Sequence, residues 1–410
     1  MQVVLLEIIN RKNITGVNRY VDSLLMGFRE ISQITFLHIC LIQNENVEFT
    51  SLEESDNFLR INIPLPVNMD KSIHEKYWNH EYNRCIYDII KPHLEKKAIL
   101  HIHTINLIYL AQYIKTFIHC KIITHLHCIP WKSLLDVDLG KYNWIQFNIN
   151  HKKYEKDSSV LLAMDCEQEA IKSSDVIICV TKCAIEYLLE FTSITPDKLI
   201  YIPNGLADVN GEEIKRAYNN ANHFRLLFVG GHSHAKGFDA IIEALHDVST
   251  RVENFTLVTA GRCKPQVKQN IVSNGRIKFV PKGIIPYEEL MKLYQECDIG
   301  LIASLTEQCS YAAIEMMMFG IPIITTASDG LAEMFKDGYS ALFVPTSFSL
   351  TQGLCVNREI MAKQIIRLMT GKKLREKIGS NARMTYLRYF QIDTMIQRTN
   401  KVYENLYKSL

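Results

Sequence analysis

Two glutamates lie eight positions apart in the stretch EQCSYAAIEMMMFG, and their surroundings differ. Glu307 precedes Ser310, a good helix-capping residue, whereas Glu315 falls within a run of alanine, isoleucine and methionine. The pattern predicts a helix from Ser310 to Phe319 that ends at Gly320. A carboxylate inside such a helix is costly to bury without hydrogen-bond donors. We favour donation by ligand hydroxyls to Glu315 over a buried ion pair with a distant lysine or arginine.

A lysine follows a pair of glycines in the segment LLFVGGHSHAKGFDAIIEAL. The apolar residues 225–229 predict a strand, Gly230 and Gly231 follow it, and a helix is predicted to begin near Gly237. At a helix N-terminus the charge of Lys236 opposes the helix dipole by roughly 0.3 to 1 kcal/mol, and a bound phosphate would reverse that sign. The glycine spacing matches neither a nucleoside-triphosphatase loop nor a dinucleotide fingerprint. Phosphate binding is favoured over a solvated surface lysine.

Four histidines occur as two pairs, His101 and His103 in LHIHT and His125 and His127 in ITHLHC. Residues two apart on a strand point to the same face, so each pair can converge on one cleft. Zinc uses clustered imidazoles but usually takes a further ligand, and Cys128 points to the opposite face. The polar lining of a cleft is therefore favoured over a metal site, and no metal is predicted. For His101 and His125 the alternative is a core histidine paired to backbone.

The segment TGVNRY follows the first predicted strand and begins a helix near Val17. Gly16 permits a close approach of the backbone, and the helix N-terminus offers N–H groups to an anion. An ordinary turn with a solvated Arg19 explains this segment equally well.

Short apolar runs alternate with helical patterns along the chain, which is typical of parallel sheets covered by helices on both faces. A length of 410 residues favours two domains, and the polar segment 206–223 is the predicted linker. Strands are predicted near residues 2–9, 35–42, 98–103, 121–126, 175–180 and 198–202, then near 225–229, 255–260, 276–280, 298–303, 322–326 and 341–344. The predicted fold class is α/β, with two doubly wound Rossmann-like domains that bind ligands beyond the carboxyl ends of their strands.

The composition excludes several classes of protein. The chain has 46 Lys and Arg against 44 Asp and Glu, which argues against a nucleic-acid partner held by bulk charge. Its 11 cysteines are scattered and contain no C-x-x-C pair, which is typical of reduced thiols in the cytoplasm. No stretch approaches the roughly 18 apolar residues of a membrane span, so any membrane contact is predicted to be peripheral.

Together these motifs resemble the retaining glycosyltransferase family of GT-B fold called glycosyl transferases group one, or family four. The two acids with seven residues between them precede FGIPIITT, DGLAEMFKDG and ALFVP, as in the family. IPNGLAD, FVGGHSHAKGFDAIIEAL and SSDVIICVT are further matches in this chain. TGVNRY and IITHLHC resemble first-domain motifs less specifically. The resemblance covers nearly the whole chain.

The resemblance implies an acceptor-binding domain at 1–205, a nucleotide-sugar-binding domain at 206–385 and a helix at 386–410 that crosses back to the first domain, with the two domains facing a cleft. It implies transfer of a sugar from a nucleotide-diphosphate donor to an acceptor hydroxyl with retention of configuration. No metal and no cofactor besides the donor substrate is expected. The acceptor could be a glycan, a lipid-linked sugar or a peptide, and the expected location is the cytoplasm or the inner face of the membrane.

The resemblance also assigns roles to particular residues. Glu315 would bind the donor ribose, Glu307 the donor sugar and Lys236 the diphosphate. His127 would lie beside the transferred sugar, so the implied catalytic residues are His127, Glu307 and Lys236. The implied donor-binding residues are Gly16, Gly230, Gly231, Lys236, Glu307, Cys309, Ser310, Tyr311 and Glu315, with the backbone of 309–311 capping the diphosphate.

Three positions depart from the family pattern. Gly231 stands where the family usually has an arginine, which Arg262 or His232 could replace, while Cys128 replaces an aspartate and Ser310 a glycine. These departures keep open a non-catalytic nucleotide-sugar-binding protein. Two further alternatives are an epimerase of the same fold class, which needs no acceptor, and a metal-dependent hydrolase built on the four histidines.

Overall fold

A computed structural model describes residues 1–9, 16–29, 31, 33–42, 49–55, 57–65, 75–129, 158–209, 211, 223–263, 277–349 and 353–410, with the side chains of 75–79 and 158–163 excepted. The chain divides into two compact units. Among the described residues, the first unit contains 1–129, 158–205 and Ile392–Leu410, and the second contains those of Leu206–Gln391.

The first unit is built on one eight-stranded sheet. Its strands are β1 (Gln2–Ile9), β2 (Thr35–Ile42), β3 (Ser51–Ser55), β4 (Phe58–Pro64), β5 (Lys97–Ile102), β6 (His119–Leu126), β7 (Val176–Cys179) and β8 (Leu199–Tyr201). Its helices up to this point are α1 (Gly16–Gly27), α2 (Glu75–Ile90), α3 (Ile108–Lys115), α4 (Ser158–Ser173) and α5 (Lys182–Phe191). The strand order is β3-β4-β2-β1-β5-β6-β7-β8, parallel except for β3 against β4. This order places β1 and β5 side by side at the point where the winding reverses direction.

The second unit has a six-stranded parallel sheet and a separate hairpin. Its strands are β9 (Phe224–Val229), β10 (Phe255–Ala260), β11 (Lys278–Pro281), β12 (Ile299–Ile302), β13 (Ile323–Thr326), β14 (Leu342–Val344), β15 (Thr346–Ser349) and β16 (Gly353–Val356). Its helices are α6 (Phe238–Ser249), α7 (Tyr287–Glu296), α8 (Tyr311–Met318), α9 (Asp329–Met334), α10 (Arg358–Thr370) and α11 (Lys372–Tyr389). The order β11-β10-β9-β12-β13-β14 makes β9 and β12 neighbours, and β15 pairs with β16. The last helix, α12 (Ile392–Lys408), belongs to the first unit.

The buried runs of the central strands explain why these segments fold as parallel strands. Residues 2–7 of β1 and 36–42 of β2 are buried throughout, as expected when helices cover both faces of a sheet. In the second unit, the apolar faces of α6 and α10 pack in one core with Leu226, Leu257 and Leu301 from the sheet. Burial of these side chains is the main stabilising contribution to each unit.

The strands predicted from the sequence are present, but four others were missed. They are β3, β4 and the β15–β16 hairpin. Every residue of β3 is exposed, and β3 has the polar sequence SLEES, so it carries no hydrophobic pattern. β15 also has an exposed position, at Phe348, and the hairpin lies outside the main sheet. Most of the predicted linker, 206–223, lies outside the described residues.

Gly237 lies in the loop after β9 and packs closely against the loop after β12. Its φ is +63°, and a Cβ at this position would overlap the carbonyl oxygen of Ala303. Gly338 has a similar φ of +66°, but no described residue has an atom within 4 Å of such a Cβ. We expect Gly237→Ala to lower the free energy of unfolding by at least about 1 kcal/mol more than Gly338→Ala does, because both variants strain the backbone but only the first creates a steric overlap. Urea denaturation of the two variants measures this, and equal losses would contradict the close approach.

Candidate active site

The loops after β9 and β12 meet at the carboxyl edge of the second sheet. These strands are neighbours, yet the chain leaves them in opposite directions along the sheet, toward β10 on one side and β13 on the other. Ligands in open α/β sheets bind at such a reversal, where the two loops leave a crevice. The backbone N–H of Leu305 donates to the carbonyl of Ala235 at 2.9 Å, which ties the two loops together.

Lys236 and Glu307, both predicted catalytic residues, form an ion pair in this crevice. The Nζ of Lys236 lies 2.6 Å from Oε2 of Glu307, and the Ser304 hydroxyl donates to the same oxygen at 3.3 Å. The lysine side chain is 39% exposed, so its ammonium is accessible to a ligand. The carbonyl of Glu307 accepts from the backbone N–H of Gly330 at 2.9 Å, which anchors the loop on α9. The arrangement holds a cation and an anion together near the N-terminal end of α8.

Helix α8 begins as the sequence predicts. Ser310 has extended backbone angles, and its hydroxyl accepts from the backbone N–H of Ala313 at 3.4 Å. Gly320, at a φ of +60°, follows the end of the helix. Cys309, Ser310 and Tyr311 are buried at the N-terminal end, and their predicted role in capping a diphosphate stays a prediction.

Glu315 is buried, with 1% of its surface exposed, and a tyrosine hydroxyl donates to it. The hydroxyl of Tyr294, from α7, donates to Oε2 of Glu315 at 2.5 Å. The ring of Tyr294 stacks on Phe319 at a centroid separation of 5.6 Å. The candidate donors predicted from the sequence were ligand hydroxyls or a distant lysine or arginine, and a tyrosine was not among them. A buried tyrosine hydroxyl needs an acceptor, but its position 21 residues upstream gave no signal of the pairing.

His232 and Arg262 are the two candidates for replacing the missing arginine, and their surroundings in the structure differ. The His232 ring is buried and stacks on Phe238 at 3.9 Å with an interplanar angle of 4°. Burial lowers the pKa of His232 to about 4, so this imidazole is neutral at pH 7 and a poor substitute for a guanidinium. The backbone of Arg262 accepts from the N–H of His232 at 3.1 Å, which places Arg262 beside the same loop. Arg262 therefore remains the candidate.

The loop leaves space for a Cβ at the position of the missing arginine. A Cβ at Gly231 would meet no atom of the described residues within 4 Å, whereas one at Gly261 would overlap the carbonyl oxygen of Gly230. We expect Gly231→Arg to increase nucleoside-diphosphate affinity about tenfold, because a charge-assisted hydrogen bond contributes roughly 1.5 kcal/mol or more. Calorimetric titration with a nucleoside diphosphate measures the change. Gly231→Gln is the matched control, with a long side chain but no charge, and an equal gain in that variant would contradict the electrostatic explanation.

The four histidines of the first unit converge at the carboxyl ends of β5 and β6, as predicted. Nε2 of His101 lies 3.3 Å from Nδ1 of His125, and Nδ1 of His103 lies 3.2 Å from Nε2 of His127. Three of the rings are buried and His127 is half-buried, so only His127 fits the predicted cleft lining. Nδ1 of His101 lies 2.7 Å from the hydroxyl of Tyr403. The alternative prediction for His101, a core histidine paired to the backbone, therefore has the burial right but not this partner, which is a side chain.

Burial keeps these imidazoles neutral. It lowers the pKa of His101 and of His127 to about 3, and the pKa values of His103 and His125 also fall well below the usual range. The Tyr20 ring packs against His125 at a centroid distance of 4.3 Å. A neutral imidazole can still donate or accept a hydrogen bond at neutral pH.

Other parts of the first unit relate to the predictions as follows. Gly16 is the exposed first residue of α1, and the six residues before it lie outside the described ranges. A buried polar group on β1 was not predicted from the sequence: Glu7 lies 2.7 Å from Nε2 of His38 and accepts from Nδ2 of Asn18 at 3.2 Å. Among the described residues, no helix is both long and apolar enough to cross a bilayer.

Comparison with known proteins identifies the second unit. Residues 210–385 match the family model described as glycosyl transferases group 1. An uncharacterized glycosyltransferase of Methanocaldococcus jannaschii is 28% identical over 237 residues, which are 58% of this chain and 61% of that relative. The aligned region thus spans less than two thirds of this curated relative.

Solved structures resemble the chain over its whole length. Sucrose-phosphate synthase from Thermosynechococcus elongatus has a TM-score of 0.76 at 17% identity and covers 100% of both chains. The Anabaena protein HepE, in complex with UDP and glucose, has a TM-score of 0.68 at 13% identity over 99% of this chain and 100% of its own. The predicted fold class, two Rossmann-like α/β domains of the GT-B type, is confirmed. Residues 210–385 thus match the glycosyl transferases group 1 family, which the motifs predicted.

Proposed function

We propose that this protein is a glycosyltransferase that moves a sugar from a nucleotide-diphosphate donor to an acceptor hydroxyl with retention of configuration and without a metal in the transfer step. The observation that carries the proposal is the pairing of Lys236 with Glu307 at 2.6 Å, in the crevice of the unit that matches the family model. The solved complex of HepE with UDP and glucose supports a nucleotide-sugar donor. We place the reaction in the cytoplasm, with any membrane contact peripheral.

The proposed chemistry follows from the charges of these groups. Cleavage of a sugar–phosphate bond develops positive charge on the sugar ring and negative charge on the departing diphosphate. Lys236 and the backbone N–H groups at the start of α8 would stabilise that diphosphate. Because Glu307 already holds the ammonium of Lys236, a bound diphosphate would share or take over this cation, which leaves the carboxylate of Glu307 for the sugar hydroxyls.

His127 and Glu315 complete the proposal with two further roles. His127, neutral because burial lowers its pKa to about 3, would hydrogen-bond the transferred sugar without placing a second positive charge beside the ring. Glu315 would accept hydrogen bonds from the ribose, with Tyr294 holding its carboxylate in place. The acceptor would be a glycan, a lipid-linked sugar or a peptide.

Lys236→Ala tests the diphosphate role. We expect roughly tenfold weaker binding of a nucleoside diphosphate and nearly unchanged binding of the nucleoside, because the lysine acts as a charge for the phosphates. Isothermal titration of both ligands measures the difference. Lys363→Ala, at an exposed position on α10, is the matched control and should bind both ligands normally. An equal loss for nucleoside and diphosphate would refute the assigned role.

Acceptor-dependent turnover tests the function as a whole. A panel of nucleotide-sugars screened by thermal shift identifies the donor, since a ligand at 100 times its Kd stabilises by about 2.7 kcal/mol. Product analysis with that donor and an acceptor panel should then give a new glycoside of the same anomeric configuration. Conversion of the donor to its epimer without acceptor, or binding with no turnover toward any acceptor, would contradict the transferase proposal.

A further inference from the structure

The buried histidine cluster of the first unit has more ligating capacity than the proposed transfer reaction uses. His127 is assigned to the sugar, which leaves His101, His103 and His125. One ring nitrogen of each of these three lies within 4.8 Å of those of the other two. In tetrahedral zinc sites, Zn–N bonds of 2.0–2.1 Å separate the ligand nitrogens by about 3.4 Å. Small side-chain rotations would therefore bring the three nitrogens to coordination distance.

Two of these nitrogens are buried without a hydrogen-bond partner among the residues that the structure describes. They are Nε2 of His103 and Nε2 of His125, and both side chains are 3% exposed. A buried polar atom is costly when it has no partner, and so each one needs an explanation. A metal cation that accepts the lone pairs of both nitrogens would explain why they are buried.

Two hydrogen bonds of the cluster are compatible with lone pairs directed at a cation. If Nδ1 of His101 carries its proton and donates to the Tyr403 hydroxyl 2.7 Å away, Nε2 of His101 presents a lone pair. If Nδ1 of His103 carries its proton and donates to His127, 3.2 Å away, Nε2 of His103 presents one as well. Histidines that bind metals usually donate their second ring N–H to such an outer partner, which fixes the tautomer.

One contact competes with a cation for these nitrogens: Nε2 of His101 lies 3.3 Å from Nδ1 of His125, and a cation on Nε2 of His101 would replace this hydrogen bond. The packing around them is aromatic, with the Tyr20 ring at 5.4 Å from His103 and 4.3 Å from His125.

A second trio in the same unit is less suited to a metal. Glu7, His38 and Cys40 also bring ligand atoms within 4.8 Å of one another. There, however, Nε of Arg60 donates to Nδ1 of His38 at 3.1 Å, which places a fixed positive charge beside the trio. Glu7 is already held by Asn18 and His38, and burial together with the nearby charge of Glu7 raises the pKa of the Cys40 thiol. A cation would have to displace these bonds and deprotonate the thiol.

We propose that His101, His103 and His125 form a binding site for a late first-row divalent cation, and that the cation is zinc. Imidazole ligands favour zinc, copper and nickel over magnesium or calcium. The site is separate from the transfer step. Its consequence there is positional, because a metal on Nε2 of His103 fixes the Nδ1–H that points to His127.

Zinc binding by the unmodified full-length protein is the first test. After washing with a chelator, the protein is titrated with zinc sulfate against a chromophoric zinc chelator, and we expect one zinc per chain. X-ray absorption of the zinc-loaded protein should show nitrogen neighbours at about 2.0–2.1 Å and no sulfur near about 2.3 Å. The absence of binding would overturn the proposal, and so would a sulfur neighbour, which would assign the metal to Cys40 and its trio. Both readouts are independent of transferase activity.

Substitutions locate the site within the unit. His103→Gln and His125→Gln should abolish the one-zinc stoichiometry, and Tyr403→Phe should weaken zinc affinity about 10- to 100-fold, as loss of an outer partner does. His232→Gln, at a buried histidine of the second unit, and His38→Gln, in the other trio, are the matched controls and should keep one zinc. Full binding by both His103→Gln and His125→Gln would overturn the assignment. If these variants fail to fold, the absorption measurement on the unmodified protein decides.

Discussion

Replacing His127 with alanine is expected to lower the turnover number about 100-fold or more, while the affinity for the donor changes little. The reason is the position of this residue in the histidine cluster. Its Nε2 lies 3.2 Å from Nδ1 of His103, and its side chain is half-buried, whereas the other three histidines are buried. In the proposed function His127 hydrogen-bonds the transferred sugar, and such a bond would help the transition state more than it helps donor binding. Steady-state rates and donor titrations on the same preparation give both quantities.

His119→Ala is the matched control for this experiment. His119 begins the same strand, β6, at its opposite end and is exposed, so the variant should keep normal turnover. Unchanged turnover in His127→Ala would remove His127 from the site. A further consequence concerns pH. Because burial lowers the pKa of His127 to about 3, its imidazole stays neutral from pH 5 to 8, and we expect no step near pH 6.5 in the rate profile from this group.

Glu315→Gln is expected to weaken nucleotide binding by roughly 1.5 to 3 kcal/mol, the range for hydrogen bonds to a charged group. The stability of the protein without nucleotide should stay equal or rise slightly. An amide oxygen can still accept from the Tyr294 hydroxyl, while a buried negative charge is removed from the helix. Chemical denaturation and nucleotide titration of the same variant measure the two effects.

Two further variants make this result specific. Glu289→Gln, at an exposed position on α7, should change neither quantity. Tyr294→Phe removes the donor to Glu315 and should lower stability by about 1 to 3 kcal/mol, because the carboxylate then remains buried with one partner fewer. A large stability loss in Glu315→Gln with intact nucleotide affinity would mean that this acid holds the helix in place and that another group binds the ribose.

The sequence determined the elements that carry the candidate site because each had a local signal. The run of apolar residues before Gly230, the capping serine at position 310 and the glycine at 320 marked where strands and helices begin and end. The period-two spacing of the histidines placed each pair on one face of a strand, and the structure brings the pairs together. Local pattern sufficed here because backbone geometry within a strand or helix depends on near neighbours.

Only the tertiary structure decided which side chains meet across the sheet. Lys236 and Glu307 are 71 positions apart, and their ion pair exists because β12 lies beside β9. Tyr403 reaches His101 from 302 positions away, since α12 belongs to the first unit and not to the second, which precedes it in the chain. Strand order and helix packing result from burial of the whole apolar surface, and so no single segment encodes them. For the same reason the donor to Glu315, Tyr294, could not be chosen among the 19 tyrosines of the chain by its local sequence.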